Sequence, residues 1–339
     1  MKPYPVPDSV LNEPLSKSRR SFLKTMSATL TSFACTHQVR ANFAESPAQS
    51  QVPRILEGDK ASPRIKIYHS KWALIGLPRG GKEWSIEEKI LRVKEAGFEG
   101  IETEEILDNE KQVVELVRKH GLDLGMGSSK ILQSVEEVRH GLEICKRAGA
   151  KYYVIVAGSA FMSDEAMAAF AKESIRASVE VGIPLLFETH RHSLTESAYR
   201  VRKLIDQVPE IRFCADLSHY VVSGSLGGGS AAEWVGLWAP ILDRCYSFQC
   251  RISNGEQVQV DVGDGSSKLA QKWVDLWTEI LRRWLKQAQP GDMFPVTTEL
   301  GPPGYSIVDL KGAEISDRWE QSLVMKRLTE QACKKARQS

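Results

Sequence analysis

From Ile65 to about Lys335 the chain alternates, eight times over, between a short β-like run and an amphipathic helical segment. Strands that alternate with helices of this length demand a parallel sheet, because each helix returns the chain to start the next strand in the same direction. The strands are expected at Arg64–His69, Gly100–Glu104, Leu122–Gly127, Lys151–Val156, Pro184–Thr189, Arg212–Asp216, Tyr246–Ile252 and Phe294–Glu299. Helix signals agree with that division. Ser85 precedes Glu88, and Ser134 precedes Glu137, at capping-box spacing, while Gly97, Gly121 and Gly149 close helices. The fifth helix is expected over Thr195–Gln207 and the last from about Asp317 to Lys335. Eight units, with no Gly-x-Gly-x-x-Gly turn after the first strand, favour a closed (β/α)8 TIM barrel over an open dinucleotide-binding sheet.

Three of these strands end alike. Pro184-Leu185-Leu186-Phe187 runs into Glu188, then Thr189, His190, Arg191 and His192. Arg212-Phe213-Cys214-Ala215 runs into Asp216, with His219 three residues on, and Met293 to Thr298 runs into Glu299. A carboxylate closing an apolar strand is expensive to bury unless a cation or hydrogen bonds hold it. In a barrel of parallel strands that end is where chemistry is built. Three such acids predict one shared oxygen-rich cation site. Taken singly, each acid also suits a helix N-cap, and the histidines suit a solvated loop.

Composition narrows the function. The 339 residues carry a formal charge of +2, but residues 1–44 hold six Lys/Arg against two Asp/Glu. The remainder has 39 against 41 and is close to neutral, so small-molecule chemistry fits better than nucleic-acid binding. Ser18-Arg19-Arg20-Ser21-Phe22-Leu23-Lys24 matches the bacterial twin-arginine export signal, and a short, mildly apolar stretch follows. Export makes the twin-arginine machinery a partner and the periplasm or exterior the destination, with membrane attachment through the N-terminal segment left open. Residues 45–62 are rich in Pro, Ser, Gln and Ala and are expected to form a flexible tether ahead of a barrel over 63–339. Five cysteines lie beyond the signal, none in a C-x-x-C pair, which suits buried small hydrophobes.

Glu188, the Asp216/His219 pair and Glu299, on strands five, six and eight, resemble the xylose-isomerase-like barrel superfamily, over residues 64–335. Its sugar (phosphate) isomerase/epimerase branch is the nearest resemblance. That resemblance implies one divalent metal held by strands five to eight, with the two glutamates also moving the proton and His219 touching substrate. This chain departs on strand seven, where the implied histidine ligand is absent and Gln249 stands in its place. The ligand set then becomes Glu188, Asp216, Gln249 and Glu299, all oxygen, which favours Mn²⁺ or Mg²⁺ over Co²⁺ or Zn²⁺. Expected substrate contacts besides His219 are His190, Arg191, Arg251 and Glu102, the first two in the stretch that follows Glu188.

The chemistry implied is proton transfer beside a carbonyl on a small carbohydrate, through an enediolate, with Glu188 and Glu299 as base and acid. A lyase or dehydratase on a keto-sugar or inosose would use the same intermediate. A barrel that binds sugar without turning it over is the non-enzymatic reading, favoured by the missing histidine. A multi-zinc DNA phosphodiesterase needs more histidines than strand seven and its loop supply. A homo-oligomer is left open.

Overall fold

In a computed structural model, which describes residues 52–58, 62–104, 111–224 and 226–338, the expected barrel is present. Eight parallel strands pair in sequence order, and β8 closes on β1. They are β1 Arg64–Ser70, β2 Gly100–Glu104, β3 Asp123–Gly127, β4 Tyr153–Ile155, β5 Leu185–Glu188, β6 Phe213–Ala215, β7 Cys245–Cys250 and β8 Met293–Thr298. Closure is set by a six-residue register from Arg64↔Met293 to His69↔Thr298. The helices are α1 Ile86–Glu95, α2 Lys111–Lys119, α3 Val135–Ala148, α4 Asp164–Val181, α5 Ala198–Gln207, α6 Ser218–Ser223, α7 Ala231–Leu242, α8 Lys268–Leu285 and α9 Arg318–Arg337.

Local chemistry explains the helix boundaries. A serine side chain accepts a hydrogen bond from the third helical residue at the starts of α1, α3, α4, α5, α7 and α8. At Ser85 the reciprocal bond from its own N–H to Glu88 completes the capping box. At Ser134 it does not, because the Glu137 carboxylate accepts from the N–H of Gln133 instead. Gly149 and Gly182 end α3 and α4 with φ of 76° and 83°, a left-handed turn that a side chain would strain. Helix α5 starts later than its pattern suggested. The Thr195 hydroxyl is drawn away to the Glu188 carbonyl, and Ser197 becomes the cap. Helix α6 has no counterpart in the sequence reading, since six residues are too few to show a helical period.

Two cores hold the barrel together. The larger lies between the strands and the helix shell, where Trp273, Trp277 and Trp284 of α8 pack with Trp234 of α7 against β7 and β8. Trp234 and Trp238 are therefore core residues. The smaller core is formed by Tyr68, Tyr152, Val154, Leu186, Cys214 and Met293, joined by Ile55. Two glycines make room for its rings. A Cβ on Gly100 would stand 2.6 Å from the Tyr68 ring, and one on Gly125 would stand 2.3 Å from the Tyr152 hydroxyl.

Ile55 marks a difference from the expected tether. Val52 and Ile55 are buried, the Ile55 carbonyl accepts from the N–H of Met293, and Arg212 donates to the Pro53 carbonyl. Residues 52–58 therefore pack against the body, at the starts of β6 and β8. Two apolar side chains in a polar stretch were enough to anchor it. The twin-arginine stretch falls outside the described residues. Cys145, Cys214, Cys245 and Cys250 are buried and Cys333 is half-buried, none of the five in a disulfide, as suits small hydrophobes.

Candidate active site

The three acids meet at the C-terminal end of the barrel. Glu188 is the last residue of β5, Asp216 follows β6, and Glu299 follows β8. Between them on β7 sit Gln249 and, one residue beyond the strand, Arg251. A cavity of about 280 Å³ opens there, and Glu102, Glu188, His190, Gln249, Arg251 and Glu299 all contribute to its wall. The strand ends converge because every strand of a parallel barrel points the same way.

Charge pairing in the cluster centres on Arg251, which is 2% exposed. Its Nη2 donates to Glu299 Oε2 at 2.6 Å, its Nε donates to the Glu299 carbonyl at 3.1 Å, and its Nη1 lies 3.2 Å from Asp216 Oδ2. Asp216 is fully buried, and its other oxygen accepts from the Ser218 N–H and hydroxyl at 3.1 and 2.5 Å. Burial opposes the Arg251 charge, but Asp216 and Glu299 outweigh it and hold its pKa above the ordinary value. The same desolvation raises Glu188 well above the usual carboxylate range, helped by the Glu299 and Asp216 charges. Glu299 is pushed up to about 8 by burial, against the pull of Arg251. Gln249 donates to Glu188 Oε2 at 3.3 Å, while its own Oε1 has no hydrogen-bond partner.

The residues therefore fit a divalent cation differently from the four-strand set. Two of those four, Asp216 and Glu299, are already paired with a guanidinium. Among the described residues, ligand atoms of Glu188, His190 and His219 all lie within 4.8 Å of one another, and they form a possible metal site. Neither ring nitrogen of the buried His219 has a hydrogen-bond partner, Nε2 standing 3.5 Å from Asp216 Oδ2. His190 donates from Nδ1 to the Arg191 carbonyl at 2.5 Å, which leaves the Nε2 lone pair facing the Tyr305 hydroxyl at 3.3 Å. Burial lowers the pKa of both imidazoles, and the neutral ring is the form that ligates. Their ring centroids are 4.0 Å apart.

The expected substrate contacts divide. His190, Arg251 and Glu102 line the cavity, whereas His219 does not and is 1% exposed. Glu102 is held from below, accepting from the Tyr152 hydroxyl at 2.8 Å and from Thr297 at 3.3 Å; burial nonetheless raises its pKa. The Arg191 guanidinium lies 5.2 Å from the centre of the Tyr305 ring, outside the cavity lining. Tyr305 is the residue that sequence reasoning missed. It stands beside Arg191, Arg251, His190 and His219 at once. Its only sequence signal is its place in the Pro/Gly-rich loop after Glu299.

Comparison with known proteins agrees with this architecture. No curated protein matches the sequence. Among solved structures, a probable 3-DHS dehydratase from Bacillus anthracis is similar with a TM-score of 0.52 at 14% identity, covering 78% of this chain and 98% of its own. A xylose isomerase-like TIM barrel protein from Mycobacterium smegmatis, in complex with magnesium, has a TM-score of 0.50 at 12% identity, covering 79% and 97%. At such identities the likeness is one of fold. The xylose isomerase-like TIM barrel family model matches residues 90–264, more than half of the sequence, and the chain belongs to that family.

Proposed function

We propose that the protein is an isomerase or epimerase that moves a proton on the carbon beside the carbonyl of a sugar or sugar phosphate. The observation that carries this reading is the convergence of two acids, Glu188 and Glu299, with the Arg251 cation on one cavity at the C-terminal end of the barrel. A proton beside a carbonyl is weakly acidic, so its removal needs a base on one side and fixed positive charge to stabilise the enolate. Glu299 and Glu188, on separate arcs of the barrel, take and return the proton. Arg251 faces the developing negative charge, and Glu102, held by Tyr152, accepts from a substrate hydroxyl. The divalent cation implied by the resemblance would be held by Glu188, His190 and His219, and when bound it polarises the carbonyl. Two imidazoles in that set pull the choice from Mg²⁺ toward Mn²⁺, Co²⁺ or Zn²⁺.

A second reading draws on Glu299. A carboxyl poised at about 8 can also protonate a departing hydroxyl, so loss of water from the same enolate would make the protein a dehydratase. The test is solvent-deuterium incorporation into a panel of ketoses and keto-sugars, followed by NMR with and without Mn²⁺. Exchange with retention of the carbon skeleton and its oxygens supports the isomerase, and loss of water supports the dehydratase. Sugars that bind without exchange in any condition would leave a non-catalytic binding barrel and end the enzymatic reading.

The proposal also places the protein outside the cytoplasm, on the strength of Arg19 and Arg20 in their export context. Replacing both with lysine is expected to retain the chain in the cytoplasm, because the receptor reads paired guanidinium groups. Unchanged fractionation of the double variant would refute export by this route.

A further inference from the structure

The divalent ion implied by the resemblance should bridge β6 and β8, and the geometry of Arg251 disagrees. An ion shared by Asp216 Oδ2 and Glu299 Oε2 would need each oxygen at about 2.0–2.2 Å. In this structure those two oxygens are spanned by one guanidinium, with Nη1 3.2 Å from the first and Nη2 2.6 Å from the second. The group is built in from several directions. Its Nε is spent on the Glu299 carbonyl at 3.1 Å, and its face lies 4.7 Å from the Tyr305 ring centre and 5.8 Å from that of Trp72. A planar fork of fixed donors suits two carboxylates better than lysine would, and at 2% exposure it has little room to swing aside. Gln249 stands where the resemblance implies a strand-seven histidine. An amide on β7 is a weaker ligand than an imidazole, and the Gln249 nitrogen donates to Glu188.

We propose that Arg251 is the built-in counter-cation of Asp216 and Glu299, so that no divalent ion bridges β6 and β8 in this protein. Among the described residues, any divalent ion is then left to Glu188, His190 and His219. Removing the guanidinium leaves Asp216 Oδ2 and Glu299 Oε2 as two hard oxygen donors without their counter-cation. This inference concerns ion binding and stands apart from the proton-transfer reading, since it holds whatever substrate is turned over.

The test is Mn²⁺ titration of the full chain, read by calorimetry or by the loss of the free-ion electron-paramagnetic signal. Glu299→Gln in the otherwise intact protein is expected to change the Mn²⁺ dissociation constant by less than about tenfold, because Glu299 is not a ligand. Arg251→Ala is expected to tighten Mn²⁺ binding about tenfold or more, or to add one ion per chain, while Arg251→Lys stays near wild type. A loss of tenfold or more in Glu299→Gln would overturn the proposal, and so would weaker binding in Arg251→Ala. If Arg251→Ala does not fold, the Glu299→Gln arm decides alone. A wild type that binds no Mn²⁺ supports the proposal and removes only the Glu188, His190 and His219 set.

Discussion

Glu299→Gln is expected to lower solvent-deuterium exchange into the substrate by about 10²–10⁴-fold, the range typical of a lost general acid or base. The substitution changes little else. An amide oxygen still accepts the bond from Arg251 Nη2, and the backbone carbonyl that binds Arg251 Nε is untouched. The ability to exchange a proton goes, and with it the negative charge the carboxyl can present to Arg251, from a group whose pKa the buried site has moved to about 8. The check is the exchange rate beside the urea midpoint of each protein, so that a fall in rate with an unchanged midpoint is assigned to chemistry. A variant that keeps more than about a tenth of the wild-type rate would remove Glu299 from the proton path and leave Glu188 to be tested in the same way.

Acid is expected to weaken the fold through His69, which does not line the cavity of the proposed chemistry. This side chain on β1 is 1% exposed, packs edge-on against Phe98 and lies against Trp319. Its Nδ1–H donates to the Ser70 carbonyl at 2.8 Å, and Nε2 has no hydrogen-bond partner. Burial pushes its pKa from 6.5 down to about 4, with Arg318 adding to the effect and the Ser70 bond opposing it. The folded protein thus holds the neutral ring while the unfolded chain takes up a proton near 6.5. Stability from this group is complete above that value and is lost as pH falls from there toward about 4. At 1.36 kcal/mol per unit, acidification from pH 7.5 to 4.5 removes about 2–3 kcal/mol. Urea unfolding at the two pH values measures it. His69→Asn keeps a donor for the Ser70 carbonyl and cannot charge, so its pH dependence should be flatter by that amount. Equal slopes for the two proteins would show that His69 is not the group responsible.

Much of the barrel was legible in the chain because its determinants are local. Serines at helix starts, glycines at helix ends and apolar runs between them set where each element begins and stops, through bonds reaching only a few residues. The closing acids were legible for the same reason. A charge after Phe187 or after Ala215 has a readable position on its own strand, and parallel strands put all such positions at one end. What those acids do to one another was not legible. Arg251 lies 48 residues before Glu299, and nothing in either segment says that its fork reaches both Glu299 and Asp216. The neighbouring rings of His190 and His219 likewise depend on the short helix α6, which returns His219 beneath the β5 loop. Ile55 and Tyr305 sit in stretches whose composition reads as linker or loop, yet each is ordered by contacts with distant strands and loops. Local propensity decided the order of strands and the end at which the acids gather. Partner choice among the buried charges was decided only in three dimensions, because it depends on which groups are left together once water is excluded.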